Sequence, residues 1–288
     1  MRKKIVIVGS GVSGLTSAIY LSRYGFDVNV ITGYTLGSLA DTPLVENFPG
    51  FPEGISGYDL LDNMQQQAIK FGTNIIDEMV EEINYENNSV ISDCGGVYPY
   101  DALIIGTGLN HRQIAFNGQE TAINHIHYCS TCDGALYKDK IVGIVGGGDT
   151  ALTDVLYLAN IAKEVHIFIR RDEFRGTKIL VDKILGFENV IVHKSSQIIN
   201  CVNREGHLFF EISTKENNEE IEMDGLFVSI GFDENNKIIT DKFGQNYEKH
   251  FNNVWIVGDC WKNIYRQAII AAGDGAKTAI DIFNWFQQ

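Results

Sequence analysis

Hydrophobic residues fall into short runs that end in glycine, separated by segments of helical periodicity. The first run covers residues 5–8 and ends in Gly9-Ser10-Gly11-Val12-Ser13-Gly14. An amphipathic helical pattern follows, and a second apolar run covers residues 26–31. Strand, glycine turn, helix and strand in this order predict a βαβ unit that binds a dinucleotide, with the pyrophosphate at the helix N-terminus.

The same pattern returns about one domain later. An apolar run over residues 140–145 leads into Gly146-Gly147-Gly148-Asp149-Thr150-Ala151, then a helix and a strand at 165–169. Where an NAD site would place an acid after that strand, the chain has Arg170 and Arg171, with Arg175 one turn later. Guanidinium groups there suit a 2′-phosphate, so the pattern favours NADP; a solvated basic turn is the alternative.

The remaining pattern predicts further strands and two helices. A helix is expected over residues 58–71, buried strands at 102–105, 226–230 and 254–259, and short antiparallel strands within 198–223. Minor strands are expected at 73–76 and 89–92, and a long final helix at 267–286. The interpretation is an α/β fold with two Rossmann-like dinucleotide-binding domains: residues 1–110 and 236–288 form the first, and 111–235 are inserted as the second.

Between the two glycine fingerprints lies Cys129-Ser130-Thr131-Cys132-Asp133. A Cys-x-x-Cys pair performs redox chemistry when one thiol has a lowered pKa, and a helix starting near Asp133 would favour the Cys132 thiolate. Asp133 is placed to move protons. Two alternatives are a zinc site that adds His125 and His127, and a chance pair of buried thiols. No second Cys-x-x-Cys supplies the other half of a structural zinc site, so no metal is expected.

Composition narrows the function classes. The 288 residues suggest two domains, and 44% hydrophobic residues suffice for their cores. A net charge of −14 argues against nucleic-acid binding. The apolar runs are too short for a signal peptide or a membrane span, so a cytoplasmic protein is expected. The five cysteines include only one close pair, Cys129 and Cys132, which fits a reducing compartment better than a disulfide framework; Cys94, Cys201 and Cys260 are expected to be buried.

Over essentially its whole length the chain resembles the low-molecular-weight thioredoxin reductases. The resemblance rests on the two glycine fingerprints, the Cys-x-x-Cys-Asp segment and the arginines. It also rests on Val45-Glu46-Asn47-Phe48-Pro49-Gly50, on Gly106-Thr107-Gly108, on Gly258-Asp259 and on Tyr265-Arg266-Gln267-Ala268.

This resemblance implies a homodimeric flavoprotein that reduces a thioredoxin-like protein disulfide with electrons from NADPH through FAD. Cys132 would lie next to the flavin, Cys129 would attack the partner, and Asp133 would donate the proton. The implied FAD-binding residues are Gly9, Gly11, Gly14, Asn47, Gly108, Gly258, Asp259, Arg266, Gln267 and Ala268. The implied NADPH-binding residues are Gly146, Gly148, Asp149, Thr150, Arg170, Arg171 and Arg175.

One departure from the family pattern, Gly37-Ser38-Leu39 in place of Gly-Gly-Gln, concerns an FAD contact, and two others concern the electron donor. Ile169 replaces the family's His, and Phe232-Asp233 replaces part of a Gly-His-x-Pro motif. Some members of this group take electrons from ferredoxin, so ferredoxin is the alternative donor. Two further hypotheses use the same fold: a flavin-dependent dithiol oxidase, and a non-catalytic flavin-binding sensor, against which the intact Cys-x-x-Cys-Asp argues.

Overall fold

The computed structural model describes residues 2–34, 36–42, 44–245, 247–261 and 265–288. The chain divides into two compact units. Unit 1 comprises Met1–Ala40, Val45–Asn110 and Glu234–Gln288; unit 2 comprises Asp41–Leu44 and His111–Asp233. Unit 2 therefore includes the segment 41–44, which sequence reasoning assigned to the first domain, and unit 1 includes residues 234–235, which it assigned to the second.

The regular elements follow in chain order. The strands are β1 (Lys4–Val8), β2 (Asp27–Ile31), β3 (Asn74–Ile76), β4 (Val80–Asn84), β5 (Ser89–Ser92), β6 (Val97–Pro99), β7 (Ala102–Ile105), β8 (Leu109–His111), β9 (Ile126–His127), β10 (Ile141–Val145), β11 (Glu164–Ile169), β12 (Val190–Lys194), β13 (Gln197–Arg204), β14 (His207–Ser213), β15 (Asn218–Glu222), β16 (Gly225–Val228), β17 (Phe232–Glu234), β18 (His250–Phe251) and β19 (Val254–Ile256). The helices are α1 (Val12–Arg23), α2 (Gly57–Lys70), α3 (Ser130–Asp133), α4 (Asp149–Leu158), α5 (Lys178–Ile184), α6 (Lys237–Phe243) and α7 (Ala268–Trp285).

Unit 1 contains a six-stranded sheet in the order β18-β19-β7-β1-β2-β3, parallel except for the β18–β19 pair. Ile5 and Ile7 on β1 pack with Ala18 of α1 and Ala279 of α7 on one face. The alternate side chains Val6 and Val8 enter a second core. β1 is buried from both sides, which is why it reads as a continuous apolar run rather than an alternating one.

Unit 2 repeats this architecture with a five-stranded parallel sheet, β12-β11-β10-β16-β9. An antiparallel sheet, β13-β14-β15, forms where short antiparallel strands were expected. Unit 1 likewise carries a small antiparallel sheet, β4-β5-β6, and β8 pairs with β17. The predicted α/β class with two Rossmann-like units is confirmed.

The three cysteines outside the Cys-x-x-Cys pair do not all lie in the core. Cys201 and Cys260 are buried as predicted, but the prediction for Cys94 is wrong: this residue is exposed, in the turn after β5. Within the described ranges, no helix combines the length and apolar character needed to cross a bilayer.

Candidate active site

The carboxyl edge of the unit 2 sheet brings several candidate residues to one side of that unit. β9, β16, β10 and β11 run parallel and end at His127, Val228, Val145 and Ile169. The next residues along the chain are the Cys-x-x-Cys segment, Ser229, the second glycine fingerprint and Arg170. Ligands of open α/β sheets bind at this edge, so the topology places the redox pair and the fingerprint where chemistry is expected.

Cys129 and Cys132 form a disulfide, with their Cα atoms 5.4 Å apart. The helix α3 is a turn that sequence reasoning did not predict, and it precedes the expected short helix, which forms as a 3-10 helix over Gly134–Tyr137. Cys129 is its N-cap residue, and the Cys129 Sγ accepts a hydrogen bond from the Cys132 N–H at 3.1 Å. The single turn of α3 places residues i and i+3 close enough to be bridged, while Cys132 also lies just before the 3-10 helix Gly134–Tyr137, whose N-cap is Asp133. Cys129 is 9% exposed, whereas Cys132 is exposed.

Asp133 belongs to a hydrogen-bonded chain of three side chains. Its Oδ2 lies 2.8 Å from His127 Nδ1, and His127 Nε2 lies 2.6 Å from the Tyr137 hydroxyl. Burial, and then the charges of Asp133 and Asp224, raise the pKa of Tyr137 to about 12. The phenol therefore stays protonated and donates to His127 Nε2, which assigns the proton of the neutral imidazole to Nδ1, donating to Asp133.

Sequence reasoning missed this role of His127, because the contact depends on β9. That strand pairs with β16 and sets His127 opposite Phe227. Both ring nitrogens are then occupied by Asp133 and Tyr137 rather than directed at the sulfurs. The sequence carries no separate signal for this pairing.

A buried acid, Asp154, lies behind the redox pair. Its side chain is 5% exposed and accepts hydrogen bonds from Ser130 at 2.6 Å and from Ser229 at 2.5 Å. Burial raises the pKa of Asp154 to about 6 despite both hydroxyl donors. Sequence reasoning also missed this residue, although an acid on the apolar stripe of α4, between Leu152 and Val155, was a usable signal.

The second glycine fingerprint has the close approaches of a nucleotide-binding turn. Gly146 has a φ of +148°, and a Cβ atom there would lie 2.3 Å from the Ser229 carbonyl oxygen. A Cβ atom on Gly148 would meet open space, and Asp149 and Thr150 are exposed at the start of α4. Asp149 already has a local partner, because its Oδ1 accepts a hydrogen bond from the Thr177 N–H at 2.6 Å.

The three arginines follow β11 on a loop that is fastened to this fingerprint. The Arg175 N–H donates to the Gly147 carbonyl oxygen at 2.7 Å. Arg170, Arg171 and Arg175 are all exposed, and in the described part of the chain none of them pairs with a carboxylate. The nearby Asp172 is held instead by Lys215 at 2.6 Å. The arginine charges are thus available to an anionic ligand.

In unit 1, the first fingerprint packs tightly on one side and is open on the other. A Cβ atom on Gly9 would lie 2.3 Å from the Gly106 carbonyl oxygen, and one on Gly14 would lie 2.1 Å from the Gly9 carbonyl oxygen. Gly11 and Gly108 have no atom within 4 Å of a Cβ position. The turn therefore has the free space beside its backbone that a pyrophosphate needs.

Asp259 lies at the carboxyl end of β19, on the same sheet edge as that turn. Its Oδ1 is buried and has no hydrogen-bond partner among the described residues. Burial, partly offset by Arg266, raises the pKa of this carboxyl. Asp274 of α7 fixes the preceding residue by accepting the Gly258 N–H at 2.8 Å. A buried acceptor without a donor is costly unless a ligand supplies one.

The other predicted flavin residues of unit 1 also cluster. The Asn47 side chain donates to Gln267 Oε1 at 3.0 Å, and Arg266 lies 3.5 Å from Glu234. Ala268 is the first residue of α7. Sequence reasoning grouped these residues by motif alone, and the structure brings Asn47 and Gln267 into contact across 220 positions.

Comparison with known proteins decides the family. The model for the pyridine nucleotide-disulphide oxidoreductases matches residues 3–275. The chain belongs to this family. Thioredoxin reductase from Escherichia coli O157:H7 is 33% identical over 302 residues, which cover 96% of this chain and 94% of the relative. The corresponding protein of Streptomyces clavuligerus is 32% identical over 298 residues, covering 97% and 92%. Within the family, the chain is a member of the low-molecular-weight thioredoxin reductases.

Solved structures agree with this placement. Lactococcus lactis thioredoxin reductase matches with a TM-score of 0.90 at 25% identity, covering 99% of each chain. T. acidophilum thioredoxin reductase also matches with a TM-score of 0.90 at 25% identity, covering 100% of each chain. The fold expected from the resemblance is therefore confirmed.

Proposed function

We propose that this protein is a flavin-dependent reductase that passes electrons from NADPH to the disulfide of a thioredoxin-like protein. The observation that carries the proposal is the Cys129–Cys132 disulfide beside the second fingerprint of a family member. Flavin and pyridine nucleotide use follow from the family; FAD, NADPH and the individual residues below are our assignments.

Unit 1 has features that fit FAD. Gly9, Gly11 and Gly14 leave room for its pyrophosphate, and the orphaned Asp259 Oδ1 can accept a hydrogen bond from a ribityl hydroxyl. The Ser10 hydroxyl is also buried without a partner among the described residues. We assign Asn47, Gly108, Gly258, Arg266, Gln267 and Ala268 to the same cofactor. When bound, FAD supplies a carrier that accepts a hydride from the nicotinamide and returns two electrons to a disulfide.

Unit 2 has features that fit NADPH. Gly146 and Gly148 allow the approach of a pyrophosphate at the start of α4, with Asp149 and Thr150 beside it. The exposed Arg170, Arg171 and Arg175 supply charge for a 2′-phosphate, and no acid follows β11 directly to bind a free 2′-hydroxyl. Ile169 is 2% exposed and packs in the core of the unit, so its position supplies no polar contact.

The chemistry of the Cys pair is thiol–disulfide exchange. One thiolate attacks a sulfur of the partner disulfide, forming a mixed disulfide and breaking the partner S–S bond. The second thiol, after losing its proton, attacks the mixed disulfide and restores the Cys129–Cys132 bond. The partner leaves as a dithiol with two protons. We assign the first attack to Cys129, the position nearer the flavin to Cys132, and proton transfer to Asp133 through its chain with His127.

Family resemblance also leads us to expect a homodimer in the cytoplasm. Ferredoxin remains the rival electron donor. The acidic chain, with a net charge of −14, would repel an acidic ferredoxin at long range, which favours NADPH.

Anaerobic stopped-flow mixing tests the proposal. NADPH should bleach the flavin absorbance rapidly, NADH slowly, and oxidised thioredoxin should restore it. A flavin that stays oxidised in millimolar NADPH but is reduced by ferredoxin would reject the donor and keep the disulfide chemistry. Oxygen consumption with a small dithiol, without thioredoxin reduction, would support a dithiol oxidase instead.

A further inference from the structure

A second carboxylate besides Asp133, that of Asp41, lies beside the Cys129–Cys132 disulfide. Asp41 Oδ1 is 3.9 Å from Cys132 Sγ. In the described ranges, Asp41 is the one carboxylate with an oxygen within 4.8 Å of both sulfurs of the pair. Asp41 belongs to the segment 41–44 of unit 2, so this contact lies within one compact unit.

Two contacts hold Asp41 in place. The Thr131 hydroxyl, inside the Cys-x-x-Cys segment, donates to the Asp41 carbonyl oxygen at 3.0 Å. His111 Nε2 lies 2.8 Å from Asp41 Oδ2. The side chains of Asp41 and His111 are 28% and 22% exposed, so this pair is partly shielded from water. One oxygen of the Asp41 carboxylate, Oδ2, therefore contacts the His111 imidazole, and the other, Oδ1, lies near Cys132 Sγ.

We propose that Asp41 is a catalytic carboxylate that exchanges a proton with Cys132, and that His111 is the positioning residue that orients and partly neutralises it. This inference deepens the proposed disulfide chemistry and rests on it. It adds a second proton route to the one expected through Asp133, whose Oδ2 is occupied by His127 at 2.8 Å.

After Cys129 has formed the mixed disulfide with the partner, Asp41 Oδ1 takes the proton of the Cys132 thiol, and the resulting thiolate attacks Cys129 Sγ. The Cys129–Cys132 bond forms, the mixed disulfide breaks, and the partner's leaving thiolate receives a proton from Asp41. Reduction of the Cys129–Cys132 disulfide by a bound flavin would break the S–S bond with two electrons and two protons, and Asp41, protonated again from solvent, would give one of these protons to Cys132. No further oxidant or reductant is needed.

Asp41 and His111 are expected to have opposite effects on the pKa of the Cys132 thiol. An ionised Asp41 beside Cys132 disfavours the thiolate, because like charges within about 4–6 Å raise a thiol pKa. His111 offsets this charge through its hydrogen bond. Asp154, behind Ser130, responds to both: the Asp41 charge raises the pKa of Asp154 and His111 lowers it.

The other aromatic and charged side chains near His111 have contacts of their own. The rings of Tyr128 and Phe232 lie 5.7 and 4.6 Å from the His111 ring. Arg112, the next residue, pairs with Asp233 at 2.8 Å. Asp133, the last residue of α3, is paired with His127.

The experiment measures the Cys132 thiol pKa and the turnover with thioredoxin in the flavin-loaded protein. Iodoacetamide alkylation of the reduced protein is followed against pH, with the Cys132 peptide quantified by mass spectrometry so that the exposed Cys94 does not interfere. The variants are Asp41→Asn, His111→Ala and the double variant. Asp182→Asn, which removes one exposed acid from α5 in the same unit, is the charge-matched control.

Asp41→Asn should lower the pKa of the Cys132 thiol by about one and still slow turnover roughly tenfold or more, because the proton acceptor is lost. His111→Ala should raise that pKa, and the double variant should match Asp41→Asn. Asp182→Asn should change neither quantity. Equal flavin content and disulfide content would show that the variants are folded.

An unchanged thiol pKa in Asp41→Asn, or wild-type turnover in it while Asp133→Asn is inactive, would overturn the proposal. A wild-type protein that fails to reduce thioredoxin would reject the proposed function instead. In that case the alkylation measurement still decides whether Asp41 and His111 act on Cys132.

Discussion

Replacing the buried Asp154 by asparagine should stabilise unit 2 more at pH 8 than at pH 5. Burial raises the pKa of this carboxyl from 3.8 to about 6, so the native state holds its proton longer than the unfolded chain does. An acid with a raised native pKa loses stability as pH rises through that window. The difference between 3.8 and about 6 corresponds to about 3 kcal/mol in total, of which about 1.4 kcal/mol falls between pH 5 and pH 8.

Asparagine avoids this loss because it does not ionise. Its carbonyl oxygen can accept one serine hydroxyl, and its amide can donate to the other, so Ser130 and Ser229 keep partners. We therefore expect the free energy of unfolding of Asp154→Asn, relative to wild type, to increase by about 1.4 kcal/mol from pH 5 to pH 8.

The assay must report on unit 2. All three tryptophans, Trp255, Trp261 and Trp285, belong to unit 1, so their fluorescence does not serve. Hydrogen exchange of peptides from α4 and β16, compared between variant and wild type at each pH, gives the opening free energies directly. Asp182→Asn serves again as the control and should show no such pH dependence. A variant–wild-type difference that is constant from pH 5 to pH 8, or that falls, would contradict a raised pKa of Asp154 in the native state.

Three further predictions concern the cofactors and the sulfurs. Asp259→Asn should stabilise the flavin-free protein at neutral pH, because burial raises the pKa of this acid. The same variant should weaken FAD binding roughly tenfold or more in a fluorescence titration, and an unchanged FAD affinity would contradict the assignment of Asp259 to the ribityl chain. Arg171→Ala should raise the KM for NADPH roughly tenfold and leave that for NADH nearly unchanged, whereas equal effects on both would remove the 2′-phosphate role. Cys132→Ser should trap thioredoxin covalently through Cys129, as seen on a non-reducing gel, and trapping only by Cys129→Ser would reverse the two roles.

The two sheets were predictable because β1, β7, β10 and β16 are buried on both faces and so appear as uninterrupted apolar runs. The fingerprints were predictable for a similar reason: close backbone contacts at Gly9 and Gly146 leave no room for a side chain, so glycine marks them. Both features depend on neighbouring residues in the chain, so a short stretch of sequence is enough to predict them.

Contacts between distant side chains were not predictable. Asp41 meets His111 across 70 positions and Cys132 across 91, and His127 reaches its place through a two-residue strand. Neither contact leaves a periodic signal. Cys94 was misjudged because cysteine is usually buried, whereas this one lies in an exposed turn. Asp154 could have been noticed, since an acid on the apolar face of α4 needs partners.

The central claim is that two electrons pass from the flavin through Cys129 and Cys132 to a protein disulfide. The most direct measurement is a single anaerobic turnover without any donor present. The flavin and disulfide are reduced chemically, excess reductant is removed, and the protein is mixed with oxidised thioredoxin while flavin absorbance and thioredoxin thiols are followed. We expect flavin reoxidation together with new thioredoxin thiols in the wild type, and neither in a Cys129→Ser/Cys132→Ser variant. Thioredoxin thiols formed equally by that variant, or a wild-type flavin that stays reduced beside oxidised thioredoxin, would contradict it.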